Sequence, residues 1–223
     1  PDRIALQHGV ADDRIVIVPN FVDLDRFARV AEPEPTPRRL LLFSNYVFEG
    51  APYLEAAREA AAKLGAHLDV VGEKMGTATR HPEELVGGYD LVLAQGRSAL
   101  EAMAAGASVM IGSSRAFGPL VRTDNMERLR RLNFGIRTQT LPVSADTIID
   151  QLTAYDAADA AKVTDWVRAN AGVGDAVDAL VGVYQAALDD FHLRPPDPVE
   201  ASRATGAFLD GVTKDFNALQ TEV

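Results

Sequence analysis

The chain has 223 residues, of which 47% are hydrophobic and 24% are charged, a composition typical of a soluble globular protein rather than a disordered or fibrous one. Its 32 acidic and 22 basic side chains leave a formal net charge of -10, which opposes electrostatic binding to nucleic acid or to an anionic membrane. The absence of cysteine excludes disulfides, thiolate metal sites and a thiol nucleophile. No apolar run is long enough for a transmembrane helix, and we expect a cytoplasmic protein.

Both ends of the chain carry signals about its organisation. The first three residues lead directly into a helical pattern without an initiator methionine, which predicts a piece of a longer polypeptide. Near residue 196 three prolines interrupt the chain, and residues 201–219 have the amphipathic pattern of a tail helix. We therefore predict one domain over residues 1–192, helical from residue 144 onward, and a proline-rich break with a tail over residues 193–223.

Short apolar runs alternate with longer helical patterns, as in an α/β domain with a buried parallel sheet. We predict strands at residues 15–18, 40–44, 68–72, 91–94 and 109–112. We predict helices at residues 51–64, 98–105, 146–152, 157–170 and 175–188. Residues 32–39 contain three prolines, which is typical of an extended connector. The expected fold is a Rossmann-like parallel β-sheet with helices on both faces, followed by a helical C-terminal region.

The loop after the fourth predicted strand is the strongest candidate for ligand binding, because parallel sheets bind ligands beyond the carboxyl ends of their strands. Gly96 allows a close turn, Ser98 can cap the next helix, and the free N–H groups there suit a phosphate with Arg97 beside them. Glu101 lies one turn into the helix, where its carboxylate can accept hydrogen bonds from a ligand's hydroxyl groups. The alternative is structural, because Ser followed three residues later by Glu is also a capping box.

Three further strand-end loops carry polar residues. Ser44 and Asn45 follow the second predicted strand, where they form either a sugar or phosphate contact or an ordinary turn. Gly72 and Lys74 follow the third strand, with Lys74 free to face the cleft. The loop after the fifth strand carries Arg115 and is interpreted equally well as a sugar-side loop or a solvated one. The four histidines lack the spacing of metal ligands, so we predict no metal site.

Two segments resemble one family of enzymes. Residues 89–111 read YDLVLAQGRSALEAMAAGASVMI, which resembles the donor-binding segment of retaining glycosyltransferases with the GT-B fold, of the glycosyltransferase family 4 kind. Residues 14–27 read RIVIVPNFVDLDRF, which is similar to the opening of the C-terminal domain in that family. The resemblance covers about residues 1–190, the C-terminal half of such an enzyme.

The resemblance implies a nucleotide-sugar donor as substrate, no separate cofactor, retaining transfer, and an N-terminal acceptor domain of the same polypeptide. It places Glu101 at the ribose hydroxyls of the donor and Gly96, Arg97 and Ser98 against its phosphates. Gly118 stands in the position of a glycine element of the family. We expect the isolated chain to bind donor weakly and to be inactive, because catalysis needs the second domain to close the cleft.

The sequence departs from the family at two places. The family's first acidic site residue, eight positions before the one matched by Glu101, is Leu93 here, and the catalytic residues stay unidentified. The family's Gly-Arg and nearby Lys after the second strand are replaced by Ser44 and Asn45, so Arg97 is the candidate for the missing charge. Two alternatives stay open: a non-catalytic binding or scaffolding module of the same fold, and a sugar-nucleotide epimerase.

Overall fold

The computed structural model describes residues 10–30, 32–195 and 197–221. A five-stranded sheet lies at its centre, formed by β1 (Arg39–Phe43), β2 (His67–Val71), β3 (Leu91–Ala94), β4 (Ser108–Gly112) and β5 (Phe117–Leu120). The strand order is β2-β1-β3-β4-β5, in which the first four strands run parallel and β5 pairs antiparallel with β4. The Rossmann-like α/β fold is therefore confirmed, together with four of the five predicted strands.

The strand predicted at residues 15–18 is wrong. This segment has no ladder with the sheet, and Val16 and Ile17 are 63% and 54% exposed. Its β-branched residues favour an extended backbone, but a strand exists only where a neighbour supplies hydrogen bonds. The chain joins the domain a few residues later, where the N–H of Val22 donates to the carbonyl of Ala171 at 2.9 Å.

The sequence pattern does not predict β5, because Gly118 and Pro119 interrupt it. Proline cannot donate to a ladder, so sheets tolerate it on edge strands. β5 is the last strand of the order and lies beside β4, a position in which Pro119 is accommodated. Gly118 is buried in this strand, where an added Cβ would lie 2.8 Å from the carbonyl oxygen of Thr138.

The described residues contain seven α-helices: α1 (Pro52–Leu64), α2 (Gly96–Ala104), α3 (Met126–Arg131), α4 (Ala145–Leu152), α5 (Ala157–Asn170), α6 (Val173–Leu193) and α7 (Pro198–Thr221). The predicted helices are confirmed, with unchanged ends for α5 and shifted ends for the others. α1 stops where Gly65 takes a left-handed conformation, with φ at 62°. α4 and α5 begin at Ser144 and Asp156, whose side chains accept hydrogen bonds from backbone N–H groups of the first turn.

Alternate side chains of the sheet supply two hydrophobic cores. Leu40 and Leu42 of β1 pack with α1 and α4 on one face, whereas Leu41 packs with α2 and α5 on the other. Successive residues of a strand point to opposite faces, so a strand of consecutive leucines is buried on both sides. The sheet is therefore covered by helices on both faces, as predicted.

The strand order creates a crevice between β1 and β3. From β1 the chain continues through α1 to β2, at one end of the order, whereas from β3 it continues through α2 toward β4, in the other direction. The two helices also cover opposite faces of the sheet. At such a switch point the loops leaving neighbouring strands diverge and open a ligand site beyond the strand ends.

The chain divides into two compact units, Pro1–Asp178 and Ala179–Val223. The first unit holds the sheet and α1 to α5, and the second holds most of α6 and all of α7. The predicted division at residue 192 stays a prediction. Among the helices that the structure describes, none has the length and apolar character required to span a bilayer.

Candidate functional site

Two adjoining cavities lie beyond the carboxyl ends of the parallel strands. The smaller, of about 170 Å³, is formed by the loops after β1 and β3 and by the first turn of α2. The larger, of about 430 Å³, extends past the ends of β2 and β4. Both are lined by Ser44, Tyr46 and Gln95, so together they form one continuous cleft at the switch point. This is the place where the fold alone predicts a ligand site.

The loop after β1 is held tightly against the end of β2. An added Cβ at Gly72 would lie 2.0 Å from the carbonyl oxygen of Ser44, so only glycine permits this approach. Asn45 accepts a hydrogen bond from the N–H of Glu73 at 3.3 Å, and the Ser44 hydroxyl accepts one from the N–H of Tyr46 at 3.3 Å. Asn45 therefore fastens the two loops together, whereas Ser44 both forms the turn and lines the cleft.

Two cations line the larger cavity. Lys74 follows β2 and Arg115 lies in the loop between β4 and β5, so they approach from different strand ends. Both side chains are exposed, and neither forms an ion pair with any residue that the structure describes. In a chain of net charge -10, two unpaired cations lining one cavity favour an anionic ligand there.

The N-terminus of α2 lies at the same cleft, because Gln95 and Ser98 line the smaller cavity. The helix begins at Gly96, whose φ is 61° and whose own N–H donates to the carbonyl of Phe134 at 2.9 Å. Ser98, which lines the smaller cavity, is the third residue of the helix and not its cap. The cap is Gln95, which makes no side-chain capping bond. The predicted cap at Ser98 is therefore wrong, and so is the capping box with Glu101.

Glu101 carries a carboxylate without a protein partner. It is half-buried on α2, and it forms no hydrogen bond or ion pair within the described residues. Burial raises the pKa of Glu101 above its ordinary value, although the charges of Arg97 and Arg26 oppose this shift. A half-buried, unpaired carboxylate is costly to the fold, and its accepting oxygens are available to hydroxyl donors of a ligand.

Replacing Glu101 with glutamine is expected to stabilise the protein at neutral pH, because the substitution removes a carboxylate whose ionised form is disfavoured by burial. Since the pKa is raised in the folded state, the penalty is present above that raised pKa. It disappears as the pH falls toward the unfolded value of about 4.3.

Urea unfolding of Glu101→Gln and of the parent chain, at neutral pH and at about pH 4.3, measures this difference in unfolding free energy. Carboxylates that do not interact with Glu101 titrate alike in the two proteins and cancel in the comparison. An equal or lower unfolding free energy for Glu101→Gln at neutral pH would contradict the prediction.

Arg97 does not line either cavity. Its guanidinium carbon lies 5.5 Å from the centre of the Phe21 ring, and its charge acts on Glu101. Arg26, from the same N-terminal segment as Phe21, binds Glu83 at 2.8 Å. The segment that resembles the family's opening motif therefore packs against the part of α2 that carries Arg97 and Glu101. The cations that line the larger cavity are Lys74 and Arg115.

A polar network connects the far walls of the cleft. The Gln139 amide donates to the side-chain oxygen of Gln95 at 2.6 Å and accepts a hydrogen bond from the Ser113 hydroxyl. The Ser113 oxygen in turn accepts from the N–H of Arg115 at 3.2 Å. These bonds hold the loop that carries Arg115 against the end of β3, so this cation is presented by an ordered loop.

The cleft also contains aromatic and apolar side chains beyond the predicted site residues. Tyr46, Phe48 and Ile136 line the larger cavity and are exposed to solvent. Tyr46 directly follows the predicted Asn45 and Phe48 comes two residues later, so their proximity to the strand end is a usable signal. Ile136 comes from a distant part of the chain, and only the fold brings it to the rim.

Two residues singled out by the resemblance lie inside the sheet. Leu93 is 2% exposed in β3 and packs in the core beneath α1, where a carboxylate would be buried away from the cleft. Gly118 lies within β5 rather than in a loop, and its backbone is buried. Neither residue lines the two cavities.

One group of side chains in the described part of the chain has the spacing of metal ligands. The ligand atoms of His81, Glu83 and Glu84 lie within 4.8 Å of one another. Glu83 already binds Arg26, and its pKa is lowered to about 2, chiefly by the hydrogen bond from that guanidinium. The predicted absence of a metal site stays a prediction.

No protein-family model matches the chain, and no curated protein matches it in sequence. The functional argument therefore depends on the geometry of the cleft and on the residues that line it.

Proposed function

We propose that the chain is the nucleotide-sugar binding domain of a glycosyltransferase, which transfers a sugar from an activated nucleotide donor to an acceptor. The observation that supports this proposal most strongly is the cleft at the switch point between β1 and β3. It combines two unpaired cations and the N-terminus of α2, and a free carboxylate lies one turn further along that helix. A nucleoside diphosphate attached to a sugar offers anionic, hydroxyl and ring groups to match these features.

The diphosphate is expected between the start of α2 and the larger cavity. Backbone N–H groups at a helix N-terminus bind anions, and the positive end of the helix dipole adds to the attraction. Lys74 and Arg115 lie on the adjoining wall, where they would stabilise the charge that develops on the leaving diphosphate. Arg97, the cation expected from the resemblance, contributes its charge near Glu101 instead.

The two ends of the donor would occupy opposite parts of the site. The ribose lies toward Glu101, whose unpaired carboxylate accepts hydrogen bonds from vicinal hydroxyls. The transferred sugar lies in the larger cavity, where Tyr46 and Phe48 offer exposed aromatic surface. Sugar rings pack their C–H faces on aromatic rings while Ser113 and Ser114 face their hydroxyls.

The catalytic residues are not assigned. A domain with an open cleft can bind the donor, but the donor's sugar stays exposed to water. The acceptor would be held by the second, N-terminal domain. We therefore expect the 223-residue chain to bind donor and to show no transfer. Position 93 holds a buried leucine where the family carries a carboxylate, so this position supplies no catalytic acid.

Calorimetric titration with UDP, GDP, ADP and their sugar conjugates tests the proposal. One nucleotide should bind saturably, and Glu101→Ala should weaken it about 10- to 100-fold, as expected for losing hydrogen bonds to a charged group worth about 1.5–3 kcal/mol. Glu127→Ala is the matched control, because it removes the same charge from an exposed position on another helix, α3. No binding by any nucleotide, or equal losses in both variants, would contradict the proposal.

The alternative function is a non-catalytic module that retains the fold as a binding or scaffolding domain. Leu93 in the core of β3 favours it, because the site lacks the acidic residue that the family carries at this position. The titration distinguishes the two functions. A scaffold is expected to show no preference among the nucleotide bases, whereas a donor-binding domain is expected to bind one base more tightly than the others.

A further inference from the structure

An uninterrupted apolar stripe runs along α6. Val177, Val181, Tyr184, Leu188 and Phe191 are spaced by four, three, four and three residues, which is the spacing of the a and d positions of a coiled-coil heptad. Each of these side chains is between 45% and 64% exposed. We call this set the α6 seam. Five large apolar side chains on one helical stripe are more than scattered surface residues, and such a stripe marks an interaction surface.

The heptad spacing indicates that the partner is a helix. A stripe with this 3–4 spacing packs against another helix at a shallow crossing angle, because each side chain then fits between four side chains of the facing helix. A flat membrane surface would instead select a basic polar face, and α6 carries four aspartates and no lysine or arginine. The expected occupant is therefore a helix with a matching apolar seam.

We propose that the occupant is a second copy of this chain, with the two α6 helices packed antiparallel. In the antiparallel register centred between Gly182 and Val183, Val181 faces Tyr184 of the other copy and Val177 faces Leu188. The next layer places Phe191 against Gly174, whose missing side chain leaves room for the ring. Large side chains thus meet small ones in every layer, as close packing requires.

The charges beside the seam are compatible with this pairing. The helix positions that flank the seam are Asp178, Leu180, Gln185, Ala187 and His192. Only Asp178 among them is a carboxylate, and the antiparallel register places it near Gln185 of the other copy rather than near its own equivalent. Antiparallel helices also align their dipoles favourably. The seam therefore brings no like charges together, although each chain has a net charge of -10.

The small area of the seam is typical of a weak dimer. A helix of 21 residues is about 32 Å long, and one of its faces offers roughly 600 Å² of accessible surface. Two copies then bury roughly 1,200 Å², at the lower limit for specific interfaces. We expect dissociation in the micromolar range and stronger association at higher salt, because salt screens the repulsion between two acidic chains and leaves apolar packing intact.

Sedimentation velocity of the full chain across the micromolar range tests the dimer. Leu188→Glu should weaken association at least tenfold, because it places a carboxylate in the seam. Ala186→Glu is the matched control, since it adds the same charge at an exposed position on the far side of the same helix. A parent chain that stays monomeric throughout, or a control that dissociates as readily as Leu188→Glu, overturns the proposal.

Disulfide trapping tests the antiparallel orientation of the two α6 helices. The chain has no native cysteine, so only the introduced thiols can form disulfides. Val181→Cys and Tyr184→Cys face each other only between antiparallel copies. Mixing the two single variants under oxidising conditions should give the mixed dimer, with little of either homodimer. Preferential homodimers of Val181→Cys would mean parallel helices and would overturn the register. None of the seam residues lines the two cavities, so failure of this proposal leaves the proposed function untouched.

Discussion

Replacing Lys74 and Arg115 together with alanine is expected to weaken binding of a nucleoside diphosphate by at least 100-fold. Each cation would supply a charge-assisted hydrogen bond to phosphate, worth about 1.5–3 kcal/mol, and 1.4 kcal/mol corresponds to a tenfold change in affinity. Both side chains are exposed and unpaired within the described chain, so their loss should leave stability nearly unchanged. Calorimetric titration of the double variant with the nucleotide that binds the parent chain measures the effect.

A control with the same loss of charge separates a local contact from a general electrostatic effect. Arg131 on α3 and Lys162 on α5 are exposed and do not line the cleft. Their double alanine variant should lose less than threefold in affinity, because exposed charges that do not contact the ligand are largely screened at physiological salt. Similar losses in the two double variants would mean that the cavity cations do not touch the ligand.

Alanine at Gly72 is expected to destabilise the domain and to disrupt the cleft. The backbone at this position is extended and any residue can adopt it, so the obstacle is the new methyl group itself. It would lie 2.0 Å from the carbonyl oxygen of Ser44, which belongs to the backbone and cannot rotate away. The β1 loop must move, at a cost of about 1–3 kcal/mol, which lowers Tm by roughly 2–10 °C in a domain of this size.

Gly88→Ala is the matched substitution, because an added Cβ there meets its nearest atom, on the flexible Arg39 side chain, at 3.7 Å. Thermal unfolding should show a clear fall in Tm for Gly72→Ala and a change within about 2 °C for Gly88→Ala. Nucleotide affinity should fall only in the first variant, since the displaced loop carries Ser44 and Tyr46. An unchanged Tm for Gly72→Ala would mean that the loops separate without cost.

The site residues show how far sequence reasoning reaches. Ser44 and Lys74 are expected at the cleft because they lie at the ends of predicted strands, and both line it. Arg97 was expected there as well, yet its guanidinium stacks near Phe21, because the side chain of the second residue of a helix can turn to either side. Local spacing places a residue at the end of an element, and tertiary packing decides where its side chain points.

The helical start of α2 illustrates the same limit. Ser98 and Glu101 have the spacing of a capping box, which cannot be distinguished in sequence from a phosphate-binding turn. The structure starts the helix two residues earlier, at Gly96, because Gly96 adopts a left-handed φ and donates its N–H to Phe134. This contact joins segments 38 residues apart in sequence. Glu101 is consequently left unpaired, which makes it a candidate ligand for hydroxyl groups.

The sequence by itself determined the parts of this protein that depend on local patterns. Runs of β-branched and leucine residues identified β1 to β4, and helical patterns identified α1, α2, α4, α5 and α6. Strand-end positions also identified Ser44 and Lys74, because parallel strands present their following loops at one edge. These features need no knowledge of what lies far away in the chain.

Only the tertiary structure decided the features that need a partner from elsewhere in the chain. Residues 15–18 have the composition of a strand but lack a neighbour to pair with, whereas Phe117–Leu120 contain a proline and pair with β4 all the same. The convergence of Lys74 and Arg115 on one cavity likewise follows from the strand order, which no local pattern specifies. Hydrogen bonds and burial between distant segments outweigh the weak intrinsic preferences of short segments, so pairing and convergence are properties of the folded chain.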